Sequence, residues 1–297
     1  MIQPPRIVVL EDILKRRMHG YEYSEDYHKS YYGYLGELQF LREFPVEDKF
    51  IQLFNICLEF EGQAFEVERM ILTGDKIFAF DVKNYFGTYD YEGMTWRKPG
   101  FSLKNPEAQF EVMDETLCKL IKWMETGHKV ESKMVFINKG FSINHQVNGM
   151  IKYYDISRVM KTVGASAPVG QLEFDMARYF KKNHRPIRLH DRRPNFNFEA
   201  VKSGVQCTSC GLEVELDRSK AKTITCKGCL KTKSKVDLVR ENLIELEMLL
   251  NRPLTLSKSN HWIGRAHRNL TKRVLEKYFN KSDARYYHFE KYYKGLK

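Results

Sequence analysis

Residues 65–86, FEVERMILTGDKIFAFDVKNYF, read as two strands joined by a tight turn at Thr73-Gly74-Asp75. Turn formers between two apolar runs are a hairpin signal. Strand side chains alternate faces, so Glu66 and Glu68 are expected on one face of the first strand. On the second strand Asp81 and Lys83 share a face, and Phe80 and Val82 take the other. Three carboxylates and a lysine thus converge on one hairpin. Acids in apolar strands are costly unless a cation or partner compensates them.

Working outward, residues 27–44 show an apolar stripe at helical spacing (Tyr31, Tyr34, Leu35, Leu38, Leu41), with Gly36-Glu37 beside it. Residues 50–60 read as a strand. Residues 87–103 read as short strands and loops whose aromatics either cover a sheet edge or stack bases. Asn105 and Pro106 open a helix running to about residue 126, with Phe110, Met113, Leu117, Leu120 and Trp123 on its apolar face and Gln109 in its first turn. A strand at 130–137, a strand and turn at 151–160 and a helix at 171–183 complete a mixed sheet flanked by helices, an α/β architecture. Residues 7–20 read as a short strand and helix leading into it.

Gly36-Glu37, Glu66-Val67-Glu68, Asp81-Val82-Lys83-Asn84 followed by Gly87, and Asn105-Pro106-Glu107-Ala108-Gln109 occur in this order over about residues 30 to 125. Together they resemble the PD-(D/E)XK nuclease core and, more closely, the nuclease-related domain (NERD). Two positions differ from the usual motif: Glu68 stands where Asp is commoner, and Asp81 where Glu is commoner. The resemblance implies a restriction-endonuclease-like fold and phosphodiester hydrolysis, with DNA as the expected substrate. It implies Glu37, Glu68 and Asp81 as ligands of Mg²⁺ or Mn²⁺, with Glu66 a second candidate beside Glu68. Lys83 would position water or stabilise charge on the phosphorane, and Gln109 would orient water or nucleic acid. The rival reading keeps this fold as a catalytically degenerate scaffold in a DNA-binding or regulatory protein.

The formal charge of +11 is uneven: residues 1–200 hold 28 Lys/Arg and 28 Asp/Glu, and residues 201–297 hold 21 and 10. Such asymmetry points to nucleic acid as a partner. Seven Lys/Arg against one acid over 178–193 mark a linker that is either a solvated helix end or a phosphate-contacting arm. Cys207-x-x-Cys210 and Cys226-x-x-Cys229, 15 residues apart, have the spacing of a four-thiolate structural Zn²⁺ site, a zinc ribbon. Cys57 and Cys118 read as core residues.

Beyond the ribbon, residues 236–250 read as a helix. A short helix, Gly264 and a basic helix then resemble a helix-turn-helix. Arg265, Arg268, Lys272 and Arg273 are its candidate nucleic-acid contacts, against the alternative of a helical packing module. The tail from Arg285 reads as a small wing. No apolar run is long enough for a membrane span and no signal peptide is evident, so a cytoplasmic location is expected. The expected domains are 1–195, the zinc ribbon 200–234 and the basic helical module 235–297.

Overall fold

The structure, a computed structural model, describes residues 2–93, 95–185, 192–217, 221–281 and 286–288. Two compact units are present. The first takes the described residues of 1–5 and 29–191, the second those of 6–28 and 192–296. No helix among the described residues is long and apolar enough to cross a membrane.

The chain opens with α1 (Arg6–Arg17), helical throughout with no strand, which belongs to the second unit. Its Leu10, Ile13 and Leu14 share a core with Val239, Leu243 and Leu246 rather than with the hairpin.

The first unit holds most of α2 (Glu25–Glu43), β1 (Ile51–Phe60), β2 (Gln63–Leu72) and β3 (Lys76–Lys83). Then come β4 (Gly87–Glu92), β5 (Thr95–Lys98), β6 (Phe101–Lys104), α3 (Glu107–Trp123), β7 (Lys129–Phe136), β8 (Phe141–Ile143), β9 (Met150–Lys152), α4 (Ile156–Gly164) and α5 (Gln171–Asn183). The main sheet has the order β1-β2-β3-β7-β9. β1, β2 and β3 are antiparallel neighbours, whereas β3, β7 and β9 run parallel. The crossover from β3 to β7 carries β4, β5, β6 and α3, and β8, which follows β7, completes a second sheet of order β6-β5-β4-β8.

Each face of the main sheet is covered, as parallel strands require. Ile77, Ala79, Met134 and Phe136 pack with α3, α5 and the small sheet's Tyr89 and Trp96. Phe78, Phe80, Val82 and Val135 pack with Phe40 of α2, Phe44 just after it and Val159 of α4. The expected strand and turn at 151–160 resolves into β9 followed by α4. On α3 the Asn105 side chain accepts from Glu107 N at 2.9 Å. Ile121 joins the buried face, while Trp123 is exposed beside Phe60 and Tyr179. Cys57 is buried as expected; Cys118 is exposed because it lies off the Phe110–Met113–Leu117 stripe.

The second unit contains α1, β10 (Thr223–Thr225), β11 (Thr232–Ser234), α6 (Lys235–Leu250), β12 (Leu254–Thr255), α7 (Leu256–Ile263), α8 (Arg268–Tyr278), β13 (Asn280–Lys281) and β14 (Tyr286–His288). Val205 and Leu216 beside the cysteines share one core with Leu238 and Leu243 of α6, Trp262 of α7 and Val274 of α8. Of the expected wing, β14 pairs with β12 and β13; the rest of the tail lies outside the described residues, as do residues 186–191 of the basic linker.

A buried polar network ties this unit together. Arg17, fully buried, donates to Glu245 Oε2 at 2.8 Å and to the carbonyls of Lys202 at 3.0 Å and Gly204 at 3.1 Å. It also donates to Asn242 Oδ1 and lies 4.5 Å from the Trp262 ring. Asn242 Nδ2 donates to the carbonyls of Gln206 and Leu238, and Trp262 Nε1 donates to Asn242 O. Every charge here meets an opposite charge or an oriented dipole, which keeps the desolvation cost affordable.

Candidate active site and four-cysteine cluster

The β2–β3 turn is held from outside. Thr73 N donates to Lys76 O at 3.0 Å, Gly74 N to Ala167 O at 2.8 Å, and Ala167 N to Asp75 Oδ1 at 3.0 Å. A Cβ on Gly74 would lie 2.4 Å from Pro168 O, so only glycine fits there. The anchored turn sets the register in which Arg69 lies opposite Phe80, bringing Glu68 beside Asp81.

Face alternation does not run unbroken through this hairpin. Phe65 and Val67 pack in the same core layer as Met70 and Leu72, although odd and even positions of one strand normally face opposite ways. Ile71 is on the other face, and so is Arg69, whose guanidinium lies 5.2 Å from the Phe44 ring. The reversal therefore falls at Glu68. On β1 the residue opposite is Asn55, skipped in the ladder between Phe54↔Arg69 and Ile56↔Val67 and left-handed at φ 48°. There too Leu53 and Ile56 reach the same layer. The expected sharing of one face by Glu66 and Glu68 does not carry through this paired kink. Asp81 and Lys83 alternate as expected, opposite Phe80 and Val82.

The kink turns the Glu68 carboxylate onto β3, where Val82 N donates to Oε2 at 2.5 Å. Lys83 Nζ donates to Asp81 Oδ1 at 2.7 Å. Asp81 Oδ2 is buried with no hydrogen-bond partner among the described residues. Glu37 comes from α2 and accepts from Asn55 Nδ2 at 3.1 Å. Burial pushes the Glu37 carboxyl up to about 7; the Asn55 hydrogen bond opposes this, Glu66 adds to it, Lys83 opposes it and Asp81 adds again. Burial, reinforced by Asp81, holds the Glu68 carboxyl well above the ordinary carboxylate range. Burial works against the Lys83 ammonium, but Asp81 and Glu68 outweigh it and hold the lysine protonated far above neutrality. The structure thus brings Glu37, Glu68, Asp81 and Lys83 together, with Glu66 in electrostatic reach of Glu37. Gln109 is exposed on the first turn of α3 and is not hydrogen-bonded to these groups.

Gly36 explains how the helix delivers Glu37. A Cβ there would lie 2.6 Å from Asn84 Cβ, so only glycine lets α2 close onto the end of β3. Asn84 Nδ2 donates to Tyr32 O at 2.9 Å, and Gln39 Nε2 donates to Ile137 O at 3.4 Å. Arg69 clamps the other end: Nη2 donates to Phe44 O at 2.8 Å and Gln52 Oε1 at 2.7 Å. Burial lowers the Arg69 guanidinium to about 10. Asn55 and Arg69 were not singled out from sequence. The signal available was a polar residue inside each apolar run, FIQLFNICLEF and FEVERMIL.

In the second unit the Sγ atoms of Cys207, Cys210, Cys226 and Cys229 all lie within 4.8 Å of one another, a cluster that could hold a metal such as zinc. The two knuckles repeat one geometry. Gly211 N donates to Cys207 O at 2.7 Å and Leu230 N to Cys226 O at 2.9 Å. Cys207 N donates to Leu212 O and Cys226 N to Lys231 O. The residue after each knuckle is left-handed, Gly211 at φ 78° and Leu230 at φ 59°. The N–H groups of Cys229 and Gly228 pull the Cys226 thiol down to about 6. Burial opposes ionisation of Cys207, but the N–H groups of Ser209 and Cys210 prevail and lower it. Lys233 is drawn into an ion pair with Glu241 at 2.6 Å and Lys235 pairs with Asp217, so this part of the lysine-rich surround is internally compensated.

Arg265, Arg268, Lys272 and Arg273 are all exposed, while Thr271, Val274 and Leu275 bury the opposite side of α8. Lys272 lies 3.7 Å from Glu276.

Residues 32–137 match the family described as the nuclease-related domain, a span that begins in α2 and ends one residue after β7. No curated protein and no solved structure matched the chain.

Proposed function

Because residues 32–137 carry a nuclease-related domain, we propose that the protein is a divalent-metal-dependent nuclease that hydrolyses phosphodiester bonds, with DNA as substrate. The observation that carries this reading is the Asp81 carboxylate. One oxygen is engaged by Lys83, and the other is buried without a partner amid Glu68 and Glu37. A buried, unsatisfied acceptor is costly unless something fills its valence. The donors around it are oxygens only, which suits Mg²⁺ or Mn²⁺ rather than a soft metal. Such an ion would be held by Glu37, Glu68 and Asp81, with Glu66 nearby, and would supply Lewis-acid charge at the phosphate and a more acidic water.

The remaining chemistry belongs to the side chains. Asp81 and Glu68 favour the protonated Lys83, which orients water or balances charge growing on the phosphate. Val82 N fixes one Glu68 oxygen, and Asn55 fixes one Glu37 oxygen. Gln109 is retained as a substrate- or water-orienting residue on α3, a position from which it acts only on bound ligand. The four thiols would hold a structural Zn²⁺, closed to substrate. The exposed Arg265, Arg268, Lys272 and Arg273 would contact phosphates.

The test is cleavage of plasmid and linear DNA by purified protein. Nicking with Mg²⁺ or Mn²⁺, abolished by EDTA and by Asp81→Asn, is expected. Absence of cleavage of any DNA or RNA form across divalent metals would leave only the binding role.

A further inference from the structure

We propose that Phe86 and Phe101, flanking Lys98 just beyond the C-terminal end of β3, form a base-stacking platform that takes unpaired nucleic acid as the nuclease's substrate. The proposal rests on the nuclease reading and specifies what that site acts on.

Among the aromatic residues of 85–103, Tyr91 stacks on His145, and the others fall into two groups. Tyr89 and Trp96 are buried and, with partly buried Tyr85, pack against Phe136 and Phe141. The small sheet therefore has its aromatic core without Phe86 and Phe101. These two remain 65% and 46% exposed. Single exposed apolar residues are ordinary, but Lys98, which also lies 5.1 Å from the Tyr89 ring, ties the Phe86 main chain to the Phe101 ring. Lys98 Nζ donates to Phe86 O at 2.8 Å and lies 5.4 Å from the Phe101 ring centroid. Phe86 is also seated in a defined place. Its ring passes so close to Gly140 that a Cβ there would lie 2.6 Å away, and Gly87 N donates to Gly140 O at 3.0 Å. An exposed ring held this way is pre-organised rather than collapsed onto the surface.

Position and charge select the occupant. Phe86 lies three residues after Lys83, so the two Cα atoms are at most roughly 10 Å apart. Tyr32, also exposed, is fixed by Asn84 at the same strand end. Exposed rings beside a lysine are the elements that bind single strands, bases stacking on the rings and phosphates meeting the cation. In a duplex the base faces are already stacked on one another, so only an unpaired strand can use them. The reacting pair is also recessed, with the Asp81 and Lys83 side chains only 10% and 12% exposed. A flexible single strand enters such a recess more readily than two strands held in a helix.

The experiment uses full-length protein in EDTA, so that binding is read without turnover. Anisotropy titrations compare a fluorescent thymidine 12-mer with an abasic 12-mer of equal charge, for wild type, Phe86→Ala/Phe101→Ala and Phe86→Leu/Phe101→Leu. Thermal unfolding checks that the variants fold, which exposed positions should permit. Wild type should prefer the base-bearing strand by roughly 5- to 150-fold for one stacked base and by more for two. Both double variants should lose that preference while keeping the shared, salt-dependent affinity for the abasic strand. An unchanged preference in the variants overturns the proposal, and so does a wild type with no preference, which assigns the rings to a protein partner instead. Failure of the nuclease reading is seen separately, as absence of cleavage with Mg²⁺ or Mn²⁺ by a protein that still shows the base preference.

Discussion

The carboxylate hairpin and the four-cysteine cluster both gather anionic ligand atoms, but they reach that state by opposite routes. The cysteines span 23 residues, 207 to 229, and each knuckle is closed by hydrogen bonds between residues four or five apart. Backbone N–H groups there favour the thiolates of Cys207 and Cys226. The acids arrive from α2, β2 and β3, and their positions depend on a helix docked through Gly36, a turn anchored on Ala167 and a paired kink at Asn55 and Glu68. Burial there favours the protonated acids Glu37 and Glu68. One cluster is local and the other is assembled from distant parts of the chain.

Five perturbations test that contrast. The largest effect is expected from Asp81→Asn, which should lower cleavage by about 100-fold or more while the melting temperature barely moves. A parallel loss of folding would show the hairpin to be structurally dependent on its charge. Next, Cys207→Ser or a strong chelator should release about one Zn²⁺ per chain, measured by elemental analysis, and raise amide exchange over residues 205–234. Protection there that survives metal loss would erase the distinction between the clusters.

Arg17→Ala should destabilise the second unit by about 3–5 kcal/mol, because it removes a buried donor from Asn242 and from the carbonyls of Lys202 and Gly204 and leaves Glu245 to Arg16 alone. Denaturant unfolding measures this. The same network warns against truncation after residue 199, which would strip Leu10, Ile13 and Leu14 of their packing partners.

The fourth perturbation is pH. The Glu37 carboxyl at about 7 lies above its unfolded value near 4.5, so the folded state binds more protons between these values. Stability of the metal-free protein should then fall as pH rises from 5 to 7.5, and Glu37→Gln should remove on the order of 1–3 kcal/mol of that fall. Mg²⁺ or Mn²⁺ should restore wild type, but not the variant, at pH 7.5. Thermal unfolding of both proteins at the two pH values, with and without metal, is the measurement. The smallest effect is on binding. Replacing Arg265, Arg268, Lys272 and Arg273 by Gln should make the log–log salt slope on duplex DNA shallower by up to roughly 3–4, at about 0.9 per lost phosphate contact. An unchanged slope would remove α8 from the interface.

Much of this molecule was legible in one dimension. The β2–β3 hairpin, the helices at 171–183 and 236–250, and the paired knuckles carry their signals within a few residues of themselves, whereas the stripe read on residues 27–44 ends half-buried and α2 meets the core through Phe40. The fate of residues 6–28 was not legible. Residues 7–20 read as a short strand and helix leading into the sheet, but Leu10, Ile13 and Leu14 are buried by a core some 230 residues away at Val239 and Leu243. Likewise Cys118 and Trp123 sit on a helix whose apolar stripe was clear, yet one or two positions of rotation decided that both face outward.

By itself the sequence determined which groups carry chemistry: the acids and lysine of one hairpin, the glycine and glutamate of one helix, four thiols at metal spacing. These follow from residue type and short-range spacing, which the covalent chain sets. Only the tertiary structure decided that Glu68 turns onto β3 through a kink shared with Asn55, that Asp81 keeps one oxygen unpartnered, and that Arg69 and Gly36 hold the helix bearing Glu37 in place. Those outcomes depend on which strands pair and how closely a helix can approach them, and both are set by packing between residues far apart in the chain.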